Sequence, residues 1–188
     1  MVSRRTFVAA GIAALPGMVG LPRWLFAEDE ATPLLPFEGN AASRELAFTH
    51  SHTGERLAVE YFTAGSYQPE AMVEVNQFLR DFRTEEVHPI DPGVLDILHA
   101  LRIMTGGSRP FQVISGYRSP ATNAMLRRLS GGVAGNSLHM EGKAIDIRLP
   151  GVSLRRVRDA ALKLKRGGVG YYPASRFVHV DTGRVRRW

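Results

Sequence analysis

The 188-residue chain contains no cysteine. A disulfide framework and thiolate metal ligation are therefore closed to it, and any transition metal must be held by His, Asp or Glu. It lacks an acidic residue before Glu28, and it lacks a long unbroken apolar run. Gly11, Pro16, Gly17, Gly20, Pro22 and Arg23 interrupt its one apolar stretch, whereas a spanning helix wants about 20 mainly apolar residues. Internal repeats and low-complexity tracts are absent too. What remains, 44% hydrophobic and 22% charged residues, is the composition of a globular chain long enough for one well-buried domain.

The acid-free start has a recognisable layout. Ser3, the pair Arg4-Arg5, Thr6 and Phe7 precede an apolar run of small residues. That order, a positive start followed by an apolar middle and a more polar exit, is that of an export signal. The twin arginine followed by Phe7 makes residues 1–27 similar to a twin-arginine signal, whose cargo crosses the membrane folded. Cleavage is expected after Ala27, with no stable membrane insertion afterwards, and residues 28–43, acidic and Pro-containing, read as a linker.

Charge is unevenly spread. Formal net charge is +6, yet from Arg148 to Trp188 eleven Lys/Arg face only Asp159 and Asp181. A basic end attracts nucleic acid, anionic lipid or acidic polymer. Nucleic acid is a poor partner for an exported protein, and no basic motif interleaved with aromatics is present. Solvated helix faces and a basic tail explain the excess as well as a dedicated patch does.

Periodicity organises residues 44–188. "RELAFTHSHTGERLAVEYF" reads as a β-hairpin turning at Thr53-Gly54-Glu55. "PEAMVEVNQFLRDF" puts Met72, Val75, Phe78, Leu79 and Phe82 on one helical face. A second helix follows, with Asp91 as N-cap, Pro92 in its first turn and Gly106-Gly107 as its stop. A third runs from Ser119-Pro120 to Gly131, and a fourth over "SLRRVRDAALKLKRGG". "FQVIS", "KAIDIRL", "GVGYY" and "RFVHVDTG" read as short strands. Elements this short and irregular predict an α+β fold rather than a doubly wound sheet.

Six histidines are candidate ligands. His99 lies within an amphipathic helix and reads as packing. His88 precedes Pro89 in a loop without a partner at useful spacing. His50 and His52 alternate near a hairpin tip, a spacing that allows them to share a face. His179 differs, because alternation puts Phe177, His179 and Asp181 on one face of a strand, with imidazole and carboxylate about 7 Å apart at Cα. In "SLHMEGKAID", His139 and Asp146 flank Gly142, which lets the chain turn between them.

Taken together, "SGYRS" (Ser115 to Ser119), "SLHMEGKAID" and the final "VHVD" resemble the zinc D-alanyl-D-alanine peptidases and their relatives. That group includes vancomycin-resistance dipeptidases and phage cell-wall endopeptidases. Ser137, His139, Gly142, Ala144 and Asp146 match its Ser-x-His-x-x-Gly-x-Ala-x-Asp pattern, and the resemblance covers about residues 108–183. With the hairpin, the helices and the leader included, the whole chain is most similar to the exported murein endopeptidase K group. The resemblance implies a small, mostly antiparallel sheet flanked by helices, as in hedgehog-like and DD-peptidase-like domains. It implies one Zn2+ on His139, Asp146 and His179, peptidoglycan peptides as substrate, and a periplasmic location.

The donor set of two nitrogens and one oxygen suits zinc. Arg118, just after a strand, is the candidate to hold a peptide carbonyl and stabilise the oxyanion, with a fold-stabilising salt bridge as its alternative. Ser137 and Tyr117 are expected to face substrate. One departure matters: many relatives carry Glu three residues before the last histidine as the base, and here that residue is Arg176, which takes no proton at neutral pH. Asp181 is the expected substitute, either as base or as an orienting partner of a ligand, and Glu141 is second choice. Without a base, the chain would be a catalytically silent, zinc-stabilised wall-binding module. Without a metal it would be a structural periplasmic domain. If the twin-arginine route operates, replacing Arg4 and Arg5 with Lys traps precursor in the cytoplasm, as immunoblotting of cell fractions would show; undiminished export of that variant points to the general secretory route.

Overall fold

The computed structural model describes residues 43–129 and 134–188. The expected leader (1–27), all of the linker except Ser43, and the Gly131 helix stop lie outside the described residues. Eight strands and four helices follow one another as β1 (Arg44–His50), β2 (Arg56–Thr63), β3 (Ser66–Tyr67), α1 (Pro69–Phe78), α2 (Pro92–Thr105), β4 (Phe111–Ser115), α3 (Pro120–Leu129), β5 (Ala144–Arg148), α4 (Leu154–Leu164), β6 (Gly168–Tyr172), β7 (Phe177–Asp181) and β8 (Arg186–Arg187). A single 3-10 turn, Leu138–Glu141, precedes β5. The fold is α+β, as expected. No helix among the described residues is long and apolar enough to cross a membrane.

The strands form one sheet in the order β3-β2-β1-β4-β5-β7-β6-β8. It is mixed, which corrects the expectation of a small, mostly antiparallel sheet. Five pairings are antiparallel, but β1–β4 and β6–β8 are parallel. The physical reason is connection length. The stretch from β1 to β4 is long enough to carry a hairpin and two helices, so β4 can return alongside β1 in the same direction, which a tight turn forbids. The two-residue strands β3 and β8 carry too little pattern to be read from sequence.

Helix ends follow local chemistry. The Asp91 side chain accepts from Gly93 N, Pro92 opens α2, and Gly106 closes it at φ 68°. Helix α1 stops at Phe78, with Leu79 as its C-cap, earlier than its apolar periodicity suggests. Phe82 therefore leaves the helix face and stacks on His52 instead.

Strand alternation divides the sheet into two faces. Val113, Ile145, Ile147, Val169, Val178 and Val180 point into the core, where α2 packs on α4 and β7, and α4 packs on β6 and β7. At the other end α1 packs on β2, and Leu46, Phe48, Val75 and Phe78 fill that part of the core. Gly170, Asp146 and His179 lie on the opposite face of the central strands, since cross-strand partners share a face. Burying one face under helices thus commits the polar residues to the other.

Gly142 ends the 3-10 turn at φ 64°, and a Cβ there would stand 2.0 Å from Pro89 O. Its carbonyl accepts from the chain ahead of α2 as well, through Asp91 N→Gly142 O at 3.0 Å. Both the left-handed backbone and the close approach require glycine. Gly142→Ala is expected to cost about 2 kcal/mol or more. Thermal unfolding checks this, and an unshifted midpoint contradicts it.

Candidate metal centre

Three side chains from two strands and one turn converge on the face opposite the α2–α4 core. His139 comes from the 3-10 turn, Asp146 from β5 and His179 from β7, and all three are buried. The β5–β7 register sets Asp146 directly opposite His179. The turn is held against the segment after β4 by two bonds: His139 Nδ1 to Gly116 O at 2.7 Å and Arg118 N to His139 O at 3.1 Å. Sequence distance is large, but the ladder and this clamp remove it.

The donor atoms form a tight triangle. His139 Nε2 and His179 Nδ1 are 3.2 Å apart, His179 Nδ1 and Asp146 Oδ1 2.9 Å, and His139 Nε2 and Asp146 Oδ1 3.3 Å. Ligands at zinc's usual ~2.0–2.2 Å bond lengths stand roughly 3.3–3.6 Å apart across a tetrahedron. The triangle is close to one face of such a tetrahedron. Among the described residues, these three are the group of His and acidic side chains positioned to hold a metal ion.

The far nitrogens are spoken for, which fixes the near ones. Gly116 O can only accept, so His139 Nδ1 carries the proton and Nε2 presents a lone pair to the triangle. His179 Nε2 lies 2.9 Å from Asp181 Oδ2 and donates to it, leaving Nδ1 for the triangle. Each imidazole thus has its outer N–H held by an acceptor, the arrangement that orients metal-ligating histidines. The residues fit a zinc ion.

Electrostatics point the same way. Burial pushes the Asp146 carboxyl up, but the two imidazoles outweigh it and hold it below the usual carboxylate range. Burial also lowers His139, more than Asp146 raises it, and favours its neutral form. His179 is lowered by burial, yet hydrogen bonds to Asp146 and Asp181 prevail and push it up to about 9. In the metal-free protein its Nδ1 therefore carries a proton at neutral pH, shared with Asp146. A metal must displace that proton.

Asp181 is wholly buried behind His179. Its Oδ1 accepts from Gly168 N, Gly183 N and Arg186 Nη1, each at 2.9 Å. Its Oδ2 accepts from His179 Nε2 and, at 2.7 Å, from Arg186 Nη2. A base needs a free lone pair on the open side of the triangle. Asp181 has neither a spare oxygen nor exposure there.

The other expected site residues take various places. Arg118 stands with Nη2 3.6 Å from Asp146 Oδ2, and its buried Nε has no hydrogen-bond partner among the described residues. Burial lowers its pKa and Asp146 raises it. Tyr117 is buried with its ring stacked on His88, centroids 4.7 Å apart. Ser137 precedes the 3-10 turn without a side-chain capping bond. Glu141 is drawn to Lys143 Nζ at 2.8 Å, and both are well exposed. Arg176 lies exposed in the turn between β6 and β7 at φ 55°. His50 and His52 are not part of the metal group: His50 Nδ1 accepts from the amides of His52 and Thr53, closing the hairpin turn.

Sequence reasoning missed Arg186, Gly116 and Trp188. Arg186 and Trp188 were absorbed into the basic tail, although a tryptophan ending a run of arginines is an odd solvated residue. Gly116 acts through its carbonyl, for which sequence offers no signal.

Two expected outcomes follow. Alanine at His139, Asp146 or His179 lowers zinc content below one per chain by atomic absorption; retention of one per chain in all three variants contradicts the site. Between about pH 9 and 7, apparent zinc affinity falls about tenfold per unit as the His179 proton competes for Nδ1. In the metal-free protein the linkage runs the other way: the proton stabilises the fold below about 6.5, and that contribution is lost as pH rises through about 9. Zinc affinity that ignores pH over this window contradicts the assignment.

A profile of the family described as peptidoglycan L,D-endopeptidase MepK matches residues 38–188. Peptidoglycan L,D-endopeptidase MepK of Escherichia coli (strain K12) is 41% identical over 186 residues, which is 99% of this chain and 97% of that one. Probable peptidoglycan L,D-endopeptidase MepK of Haemophilus influenzae is 41% identical over 182 residues, covering 96% of this chain and 90% of its own. The solved structure of Serratia marcescens L-Ala D-Glu endopeptidase ChiX overlaps 51% of this chain and 69% of its own, at 20% identity and TM-score 0.34, too slight a likeness to define the fold.

Proposed function

The chain belongs to the peptidoglycan L,D-endopeptidase MepK family, and on that premise we propose that it is an exported zinc peptidase cutting L,D crosslinks between peptidoglycan peptides. It is a peptidoglycan endopeptidase. The observation that carries the metal-dependent reading is the triangle itself: three donors within 3.3 Å of one another, with both outer imidazole nitrogens already engaged. Murein lies outside the cytoplasm, and the twin-arginine leader supports periplasmic export of the folded chain by that route.

Each residue has a chemical part. His139, Asp146 and His179 would hold the zinc. Bound there, zinc would supply Lewis acidity to polarise the scissile carbonyl and acidify water. Arg118, whose guanidinium stands beside Asp146, offers its positive charge to the carbonyl oxygen, where negative charge develops. Burial strengthens that interaction, because little water competes for it. The Ser137 hydroxyl and Tyr117 are assigned to peptide binding. Asp181 is assigned the orienting role: it fixes the His179 tautomer and ring plane, and Arg186 keeps its charge matched. Glu141, whose pair with Lys143 is exposed and weakly held, is the remaining candidate for proton transfer.

Digestion of isolated sacculi tests the function. Mass spectrometry should find fragments cut at L,D peptide crosslinks, with release abolished by chelator and restored by zinc. Zinc-loaded protein that binds sacculi and releases nothing would be the silent wall-binding module. For Asp181, Asp181→Asn separates the two roles. An orienting carboxylate predicts roughly 10–100-fold weaker zinc affinity, with activity regained at saturating zinc. A deficit of ~10²–10⁴-fold at full zinc occupancy would make Asp181 the base after all.

A further inference from the structure

The last strand brings an aromatic ring to the metal centre. Strand β8 pairs in parallel with β6, setting Arg186 beside Gly168 and Arg187 beside Val169. Two further backbone bonds extend the ladder to the last residue: Tyr171 N→Trp188 O at 3.1 Å and Trp188 N→Val169 O at 3.2 Å. The Trp188 ring then lies 5.2 Å from the His179 ring, centroid to centroid.

Its placement is built rather than incidental. Gly170 is the β6 residue directly opposite His179. A Cβ at Gly170 would come within 2.8 Å of Trp188 Cε2 and of Tyr172 Cε2. The missing side chain opens the slot that the indole occupies. Trp188 Nε1–H donates to Tyr172 Oη at 2.7 Å, and Tyr172 stacks on Phe177 with centroids 4.5 Å apart. The Arg186 guanidinium, which also grips Asp181, sits 4.9 Å from the Trp188 ring centroid.

An indole tied by its edge, its backbone and a cation is fixed in position, yet 49% of Trp188 stays exposed. Core packing would have buried that surface. A rigid, half-open aromatic face beside a metal ligand is what a peptide-binding wall needs: it gives apolar contact area, and almost no side-chain freedom is left to lose on binding.

We propose that Trp188 is a substrate-contacting residue whose indole seats the aliphatic stem of the peptidoglycan residue next to the scissile bond. Gly170 makes room for the ring. Arg186 is a positioning residue that locks the ring and the Asp181–His179 pair together. The proposal rests on the endopeptidase reading above and deepens it.

The chain has two tryptophans, Trp24 and Trp188, so a full-length Trp24→Phe protein reports emission from Trp188 alone. Titrating it, metal-free so that nothing turns over, with a purified crosslinked muropeptide dimer should shift its emission to the blue and saturate. In the zinc-loaded protein, Trp188→Leu fills the slot without a flat aromatic face and should raise KM for the dimer roughly tenfold. Its kcat should stay within about twofold and its zinc content should not change, while Trp188→Phe recovers most of the loss. Unmoved emission together with an unchanged KM overturns the proposal. So does a Leu variant whose kcat and zinc content fall together, because the ring would then merely brace His179. Should the Leu variant not fold, the titration of the Trp24→Phe chain decides alone. If the unaltered chain neither cleaves nor binds the dimer, the endopeptidase reading fails and this proposal goes with it; if it cleaves while Trp188→Leu matches it in KM, only this proposal fails.

Discussion

Cross-strand partners in an antiparallel ladder share a face, and the β5–β7 register sets Asp146 against His179 on the face opposite the α2–α4 core. A slip of one residue would exchange His179 for Val178 or Val180 and turn the imidazole into the apolar core. The register is protected because that core face is continuous: Ile145, Ile147, Val178 and Val180 are all buried in one core, where α2 and α4 pack on β7. Packing on one side thus specifies chemistry on the other. The 3-10 turn needs only to carry His139 to the end of this ladder, and Gly142 and the Gly116 carbonyl hold it there.

Charge is handled with the same economy. Two carboxylates are buried in the centre, which would be costly unless each were matched. Asp181 has Arg186 in a two-pronged contact, and Asp146 has Arg118 nearby and two imidazoles at hydrogen-bond distance. The outer nitrogens of those imidazoles are satisfied by Gly116 and Asp181, so the unfilled demand is at the triangle, for a proton or a cation. Arg118 keeps its Nε–H unspent beside it. A site with its demand concentrated at one point, and an unspent cationic donor next to that point, is arranged for binding and hydrolysis rather than for stability.

Much of this was legible in the sequence because it depended on short-range spacing. The Asp91 and Gly106 helix ends, the shared face of His179 and Asp181, and the turn at Gly142 all follow from rules spanning a few residues. Other features depended on partners far along the chain. Nothing near His50 announces that its Nδ1 would close a turn rather than bind metal. Alternation put Asp181 beside His179 correctly, but alternation does not say which nitrogen of the ring it meets, and that choice separates an orienting carboxylate from a base. The parallel return of β4 beside β1 and the two-residue strand β8 were equally hidden. The basic C-terminal quarter, read as solvated, proved heterogeneous: Arg186 supports the centre, Arg148 braces the β6–β7 turn through the Ser175 and Arg176 carbonyls, and Arg158 lies over Tyr171.

The central claim is that one zinc ion on His139, Asp146 and His179 is the reactive centre of a peptidoglycan endopeptidase. Crystals of the active, zinc-loaded protein, measured on both sides of the zinc absorption edge, test it most directly. The account predicts a single anomalous peak within ~2.0–2.2 Å of His139 Nε2, His179 Nδ1 and an Asp146 oxygen, with a fourth position open towards Arg118. An active protein with its zinc peak elsewhere, or with no peak at all, would contradict it.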